Sequence, residues 1–227
     1  MFDPEINEAI RQLITQWNKA ERRIKKAEQV RANQVVGAAV AELRYAGRKF
    51  IDASELLLDA PTDPSTKAKA LEYLADATED CVKAKHDAID SMLDFITAWF
   101  DRTENKLGLS AVVRFFPNYI EITAQISTIQ DKIAESRFDR NKLRDGIYNE
   151  IEDEHYGTIL ALYNTIRQSE PRVQAEVDAE VQEKEHFDRR VAKIHYEGRL
   201  NLALGVGGLV VGAIGFIFAV VVYLRPG

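Results

Sequence analysis

Between Leu200 and Leu224 the sequence "LNLALGVGGLVVGAIGFIFAVVVYL" carries no ionisable side chain except the phenol of Tyr223. Asn201 is its one strongly polar residue. As a helix these 25 residues would run roughly 37 Å, longer than a hydrocarbon core of ~30 Å. Apolar residues fall on every face of that helix, so no polar stripe would be left to meet water. The run reads as a membrane-spanning helix, and the rest of the chain must fold while tied to a bilayer.

That remainder is polar and rich in Ala, Glu, Lys, Arg, Gln and Ile, a mixture that favours long helices over sheets. The net charge of −6 argues against a nucleic-acid-binding face. The basic run Arg22, Arg23, Lys25, Lys26 is flanked by Glu21 and Glu28 and reads as a solvated helix face. Cys81 is the one cysteine. It cannot form an intramolecular disulfide and should pack as a small apolar residue. The opening "MFDPEINEAIRQLITQW" has no basic start followed by an apolar run, so it does not read as a secretory signal. Arg189, Arg190, Lys193 and Arg199 precede the apolar run and only Arg225 follows it. With the insertion signal at the C-terminal end and the basic flank before it, the N-terminal body is expected in the cytoplasm.

Along the body the spacing predicts long helices. Asp3 can cap a first helix with Pro4 at its first position. Ile6, Ile10, Leu13, Trp17, Ala20, Ile24 and Ala27 then follow in steps of four and three, the seam of a coiled-coil-like helix. The pattern loosens through Val30, Gln34, Ala38, Ala41 and Tyr45, with Gly37 and Gly47 weakening the helix without ending it. The expected stop is "DAPTDPST", where Asp63 caps the next helix. That second helix should run from Pro64 to about Asn105 along Leu71, Leu74, Thr78, Cys81, Lys85, Ile89, Met92, Ile96 and Trp99. "AVVRFFP" is ambiguous between a strand and a helical turn. A third helix starts near Pro117, with Ile122, Ile126, Ile129, Ile133, Ser136, Arg140, Leu143 and Ile147 in four-three spacing, continuing through Ile151, Ile159, Leu162 and Ile166. Pro171 marks a kink or break before a last segment carrying Val173, Val177, Val181, Phe187, Val191 and Ile194. The expected fold is all-α: an elongated up-and-down bundle of about four helices over residues 1–198, then a transmembrane segment and short tail over 199–227. Lys85 and Arg140 fall on seam positions; each needs a carboxylate partner, or a stem laid along the core with its head in water.

From "AVVRFFPNYIEITAQISTIQDKIAESRFDRNKLRDGIYNEI" the chain resembles the LemA family. Phe116-Pro117 stands where that family has an aromatic-Pro pair. Asp131-Lys132-Ile133-Ala134, Arg137, Asn141 and Tyr148-Asn149 follow its run of E-x-K-I-A, Arg and Tyr-Asn. Asn7, Ala20 and Ile24 are similar to its opening helix. The chain differs in having "NQVVGAA" for the family's Leu-Ile-Pro-Asn stretch, Arg140 for a tyrosine, and its apolar segment at the opposite end. The resemblance implies a membrane-tethered long four-helix bundle without an established catalytic site.

Two E-x-x-H pairs, Glu152 with His155 and Glu183 with His186, are the candidate metal ligands. Spacing three puts Glu and His on one face of an α-helix, as ferritin-like di-iron bundles require. Such a site needs two further glutamates, and Glu72 and Glu79 lie beside the seam of the second helix. No metal or other cofactor is therefore expected. No G-x-S-x-G, H-E-x-x-H, phosphate-cradling glycine loop or Cys-x-x-Cys is present. In the apolar run, Gly208 and Gly212 form G-x-x-x-G, a surface on which two spans can associate. The sequence thus reads as a tail-anchored single-pass membrane protein, an interaction scaffold or adaptor rather than an enzyme. Its partners would be membrane lipid, protein partners, and a second copy through the span. The alternatives are an effector that acts on the membrane by oligomerising, and a metal-dependent oxidase.

Overall fold

The computed structural model describes residues 3–59, 63–136 and 143–223, with the backbone alone for residues 143 and 197–223. Among the described residues every regular element is helical: α1 (Pro4–Val30), α2 (Gly37–Asp59), α3 (Pro64–Leu107), α4 (Leu109–Phe115), α5 (Tyr119–Ser136), α6 (Leu143–Glu150), a π-helical turn (Ile151–His155) and α7 (Tyr156–Tyr223). The chain is all-α, and it divides into two compact units at Glu170/Pro171.

The first unit is organised on α3. Its 44 residues span about 66 Å. The N-terminal caps form as the sequence predicts: Asp3 accepts from the Glu5 N–H at 2.9 Å and Asp63 from the Thr66 N–H at 2.9 Å. Lys67 pairs with Asp3 and Glu5, and Arg31 bonds to Ser91, so α1 lies parallel to the first half of α3. α2 runs back beside them, with Lys49 paired to Asp76 and Asp80. The contacts are made by alanines at steps of seven. Ala20 and Ala27 in α1, Ala39, Ala46 and Ala53 in α2, and Ala70, Ala77 and Ala84 in α3 are all essentially inaccessible. A methyl side chain sets the shortest spacing two helices can adopt while still excluding water, and α3 packs closely on both neighbours.

The second half of α3 is covered by other helices. Gly108, at φ 81°, ends α3 and turns the chain into α4, whose Val112 is buried. The ambiguous "AVVRFFP" is therefore helical up to Phe115. α5 descends along α3 on the predicted face: Ile122, Ile126, Ile129, Ile133 and Ser136 are all buried. At its top, the Tyr119 hydroxyl donates to Glu104 at 3.1 Å. α6 and α7 then climb again, with Tyr148 bonded to Asp90 near the bottom and Lys106 paired to Glu170 near the top.

Two expected helices are divided. The first does not run on to Ala60: Ala32 (φ 56°) and Asn33 (φ 64°) adopt left-handed conformations, and the Asn33 N–H bonds back to the Glu28 carbonyl at 2.7 Å. This is the six-to-one bond of a Schellman stop. The buried Tyr163 hydroxyl donates to the Val30 carbonyl at 3.1 Å, satisfying another acceptor at the helix end. After the stop the frame resets, so Tyr45 is exposed and Ala46 takes the interior place. The third helix is also two, because α5 and α6 run in opposite directions along α3. Arg137, Arg140 and Asn141 lie outside the described residues.

In the second unit, α7 continues through Pro171, which therefore does not end the helix. Among residues 171–196 the side chains of Val181, Phe187, Val191 and Ile194 are exposed. Among the described residues no helix is long and apolar enough to cross a membrane. The segment expected to do so, 199–227, with Gly208 and Gly212, lies where side chains are outside the described residues.

Candidate functional site

The polar interior of the first unit gathers where the π-turn meets the middle of α3. A π-turn closes i to i+5 rather than i to i+4; the Tyr156 N–H bonds to the Ile151 carbonyl. The extra residue changes which side chains share a face. Glu152 turns toward α3 and α1, where one carboxylate oxygen lies 3.3 Å from Lys85 Nζ and the other bonds to Arg23 Nε. Asn149 Oδ1 also accepts from Lys85 Nζ at 3.2 Å. The Arg23 guanidinium lies 4.4 Å from the centre of the Tyr156 ring. Lys85 is thus buried with its head paired, not snorkelled to water, and Glu152 supplies the carboxylate partner that its seam position demands.

One turn away, His86 stacks on Tyr148 with ring centres 3.8 Å apart and 15° between planes. Tyr148 donates to Asp90 at 2.6 Å, and burial beside that carboxylate raises its phenol above the usual tyrosine range. His86 is 2% exposed. Burial, then the neighbouring Lys85 and Arg144, lower its imidazole to about 3, so it is neutral at physiological pH. Its Nε2 lies 3.3 Å from Asp145 Oδ1 but is not aligned for a hydrogen bond. Together with Glu79, Lys83, Arg144 and Asp145 it lines a cleft of about 420 Å³.

Within the first unit, Glu152 and His155 of the first E-x-x-H pair are not brought together. Glu152 is engaged by Lys85 and Arg23, while His155 sits with Glu150 and Glu154, whose ligand atoms all lie within 4.8 Å of one another. The wide turn is the reason: residues four and five apart share its face, not residues three apart. Lys132 already stands 2.6 Å from Glu150 Oε1, where an ammonium holds the charge that a cation would bring, and it lowers the Glu150 carboxyl below its ordinary range. Glu183 and His186 are exposed on α7 in the second unit. Glu72 and Glu79 are exposed on α3, beside its buried face as the sequence predicts. Cys81 is fully buried, and burial next to Asp80 pushes its thiol up to about 12, which keeps it protonated and inert.

The Arg23–Glu152–Lys85 network and the His86–Tyr148–Asp90 stack were not assembled by the sequence reading. Lys85 on the apolar seam was the one signal for them, and it named a need without naming the partner. A second feature is an apolar groove of about 290 Å³ between α1 and α2, lined by Leu13, Ile14, Trp17, Gly47 and Phe50. Ile14 and Phe50 are exposed there. Compared with family profiles, curated proteins and solved structures, the chain matches none.

Proposed function

We propose that the protein is a single-pass membrane-anchored scaffold, with residues 199–227 carrying the span and the LemA-like helical body acting through contacts with other proteins. The observation that carries this reading is the stretch Leu200–Leu224, which has no charge to keep it in water. The α7 backbone running unbroken to Tyr223 is in keeping with it. The excess of Arg and Lys before the span favours a body on the cytoplasmic side. The use of interior polar groups also supports an interaction role over catalysis. Glu152, Lys85, Tyr148 and Asp90 are spent on joining helices to one another. Exposed Val40, Phe50 and Ile51 on α2 leave apolar surface for a partner.

Membrane fractions from cells expressing the full chain, washed with alkaline carbonate, test the anchor. The full chain should stay in the pellet, and a chain ending at residue 198 should move to the supernatant. A full chain that is soluble and monomeric without detergent refutes the proposal. Crosslinking in the native membrane followed by mass spectrometry then tests the scaffold role, which fails if no protein partner is captured.

A further inference from the structure

In the second unit α7 exposes Val181, Phe187, Val191, Ile194 and Tyr196, with Phe187 64% accessible, Val191 37% and Ile194 67%. Phe187, Val191 and Ile194 share one seam, with Val181 and Tyr196 off it. With Val191 as position a of a heptad, Ile194 and Phe187 are d and Val177 is a. The frame then continues without a stutter into the apolar run: Gly198, Asn201, Gly205, Gly208, Gly212 and Gly215 all fall on a or d. Of the six glycines between 198 and 215, only Gly207 falls elsewhere. One seam therefore changes chemistry along its length. It is bulky and apolar where water would drive burial, and small where lipid leaves close backbone packing as the driving force.

We infer that α7 pairs with α7 of a second copy as a parallel coiled coil, along one seam from Val177 through Ile194 into the glycines of the span. This rests on the anchoring proposed above, which also makes the pair parallel, since two copies inserted the same way point the same way. Charge fits a second copy of the same chain. The two charged seam positions are Glu180 (d) and Lys184 (a). In a parallel dimer an a-position knob packs into a hole whose corners include the preceding d and g residues of the facing helix. Glu180 and Lys184 each face their own equivalent across the seam, and Lys184 also reaches Glu180 and Glu183 of the second copy, which offset that like charge in both copies alike.

Single cysteines introduced into the full-length Cys81→Ala chain, oxidised in membranes, test the pairing. Val191→Cys and Ile194→Cys should give dimer, because facing a and d positions bring Cα atoms within about 7 Å. Lys193→Cys and Tyr196→Cys, on the outer side, should give several-fold less. Gly208→Ile with Gly212→Ile should remove the dimer formed through Ile194→Cys. Equal crosslinking at all four positions, none at any, or an Ile194→Cys dimer indifferent to the glycine substitutions overturns the seam. Alkaline washing of the same membranes separates the two readings: released protein overturns the anchor, whereas retained protein without the periodic pattern overturns the seam alone.

Discussion

Replacing Glu152 by alanine should be among the most damaging single changes in the body. Its carboxylate serves two cations on two other helices. Lys85 is the critical one, with 8% of its side chain accessible against 28% for Arg23. Without Glu152, Arg23 can turn outward to water, but the Lys85 ammonium stays enclosed with only the Asn149 amide oxygen at 3.2 Å. Removing one partner of a buried ion pair costs roughly 3–5 kcal/mol; the remaining dipole and the escape of Arg23 place this site near the lower end, about 3 kcal/mol. That raises the unfolded fraction about a hundredfold, against a total stability of about 5–15 kcal/mol for a domain. Urea unfolding of the full chain in detergent, followed by the fluorescence of Trp17 and Trp99, measures it. The two tryptophans report on the α1–α2 groove and on the upper half of α3 respectively. Both transitions should move to lower urea together, and Glu152→Gln should recover part of the loss by keeping an acceptor for Lys85. If Glu152→Ala lies within about 0.5 kcal/mol of the parent, in the range of an ordinary surface change, the network is not what holds α1, α3 and the π-turn together.

Other perturbations have equally definite signs. His86 titrates near 3 in the folded chain and near 6.5 when unfolded, so its contribution is full above pH 6.5 and is lost as pH falls from there toward 3. His86→Phe, which keeps a ring against Tyr148, should flatten that acid limb in thermal melts between pH 4 and 7. Ala32→Gly should raise stability by about 1 kcal/mol, because φ of 56° burdens a Cβ and not a glycine; an unchanged melting temperature would count against the stop. Ala77→Leu should destabilise by at least about 1–3 kcal/mol, since α3 has no room there for a larger side chain; a parental urea midpoint would show that the helices are not held at alanine spacing.

What could be read from sequence follows what each pattern encodes. Ile122, Ile126, Ile129 and Ile133 lie on the buried face of α5, as their spacing predicts, because bulky residues in four-three steps can be satisfied in only one way. The helix start at Pro64 and the caps at Asp3 and Asp63 are legible for the same reason: each is a local steric or hydrogen-bonding rule. The stop at Ala32–Asn33 is not, because alanine carries no signal for a left-handed conformation. Tertiary contact, including the Tyr163 hydroxyl on Val30, holds it there. The alanine faces of α2 and α3 were missed because alanine is common on every face of a helix. The role of Glu152 as an ion-pair partner, where spacing alone makes it a candidate metal ligand, follows from the π-turn. Its register shift depends on how α6 and α7 are spliced against α3, which no spacing within the motif reveals.

The alanine repeats also explain why the core carries charges at all. Ile6, Leu13, Ala20 and Ala27, and Ala70, Ala77 and Ala84, each recur at seven-residue steps. Sliding α1 by one heptad along α3 would keep mostly apolar residues on that seam, bringing Leu13 to the place of Ala20 or Ala20 to the place of Leu13. The repeat itself therefore discriminates between registers only by side-chain size. The ion network adds to the discrimination. A slip of α1 by seven would put Gln16 or Val30 where Arg23 stands, and a slip of α3 would put Thr78 or Met92 where Lys85 stands. Either leaves charge enclosed without its counter-charge, at a cost of about 3 kcal/mol or more. The expectation for Lys85→Leu combined with Glu152→Leu is therefore double-edged. The pair should recover most of the stability lost in Glu152→Ala, since apolar replacement of a buried pair is often neutral. It should also unfold with a shallower urea dependence and show more than one set of amide resonances, because several registers become close in energy. A double variant with the parental urea slope and a single set of resonances would mean that alanine packing alone chooses the register, and that the buried charges serve some other end.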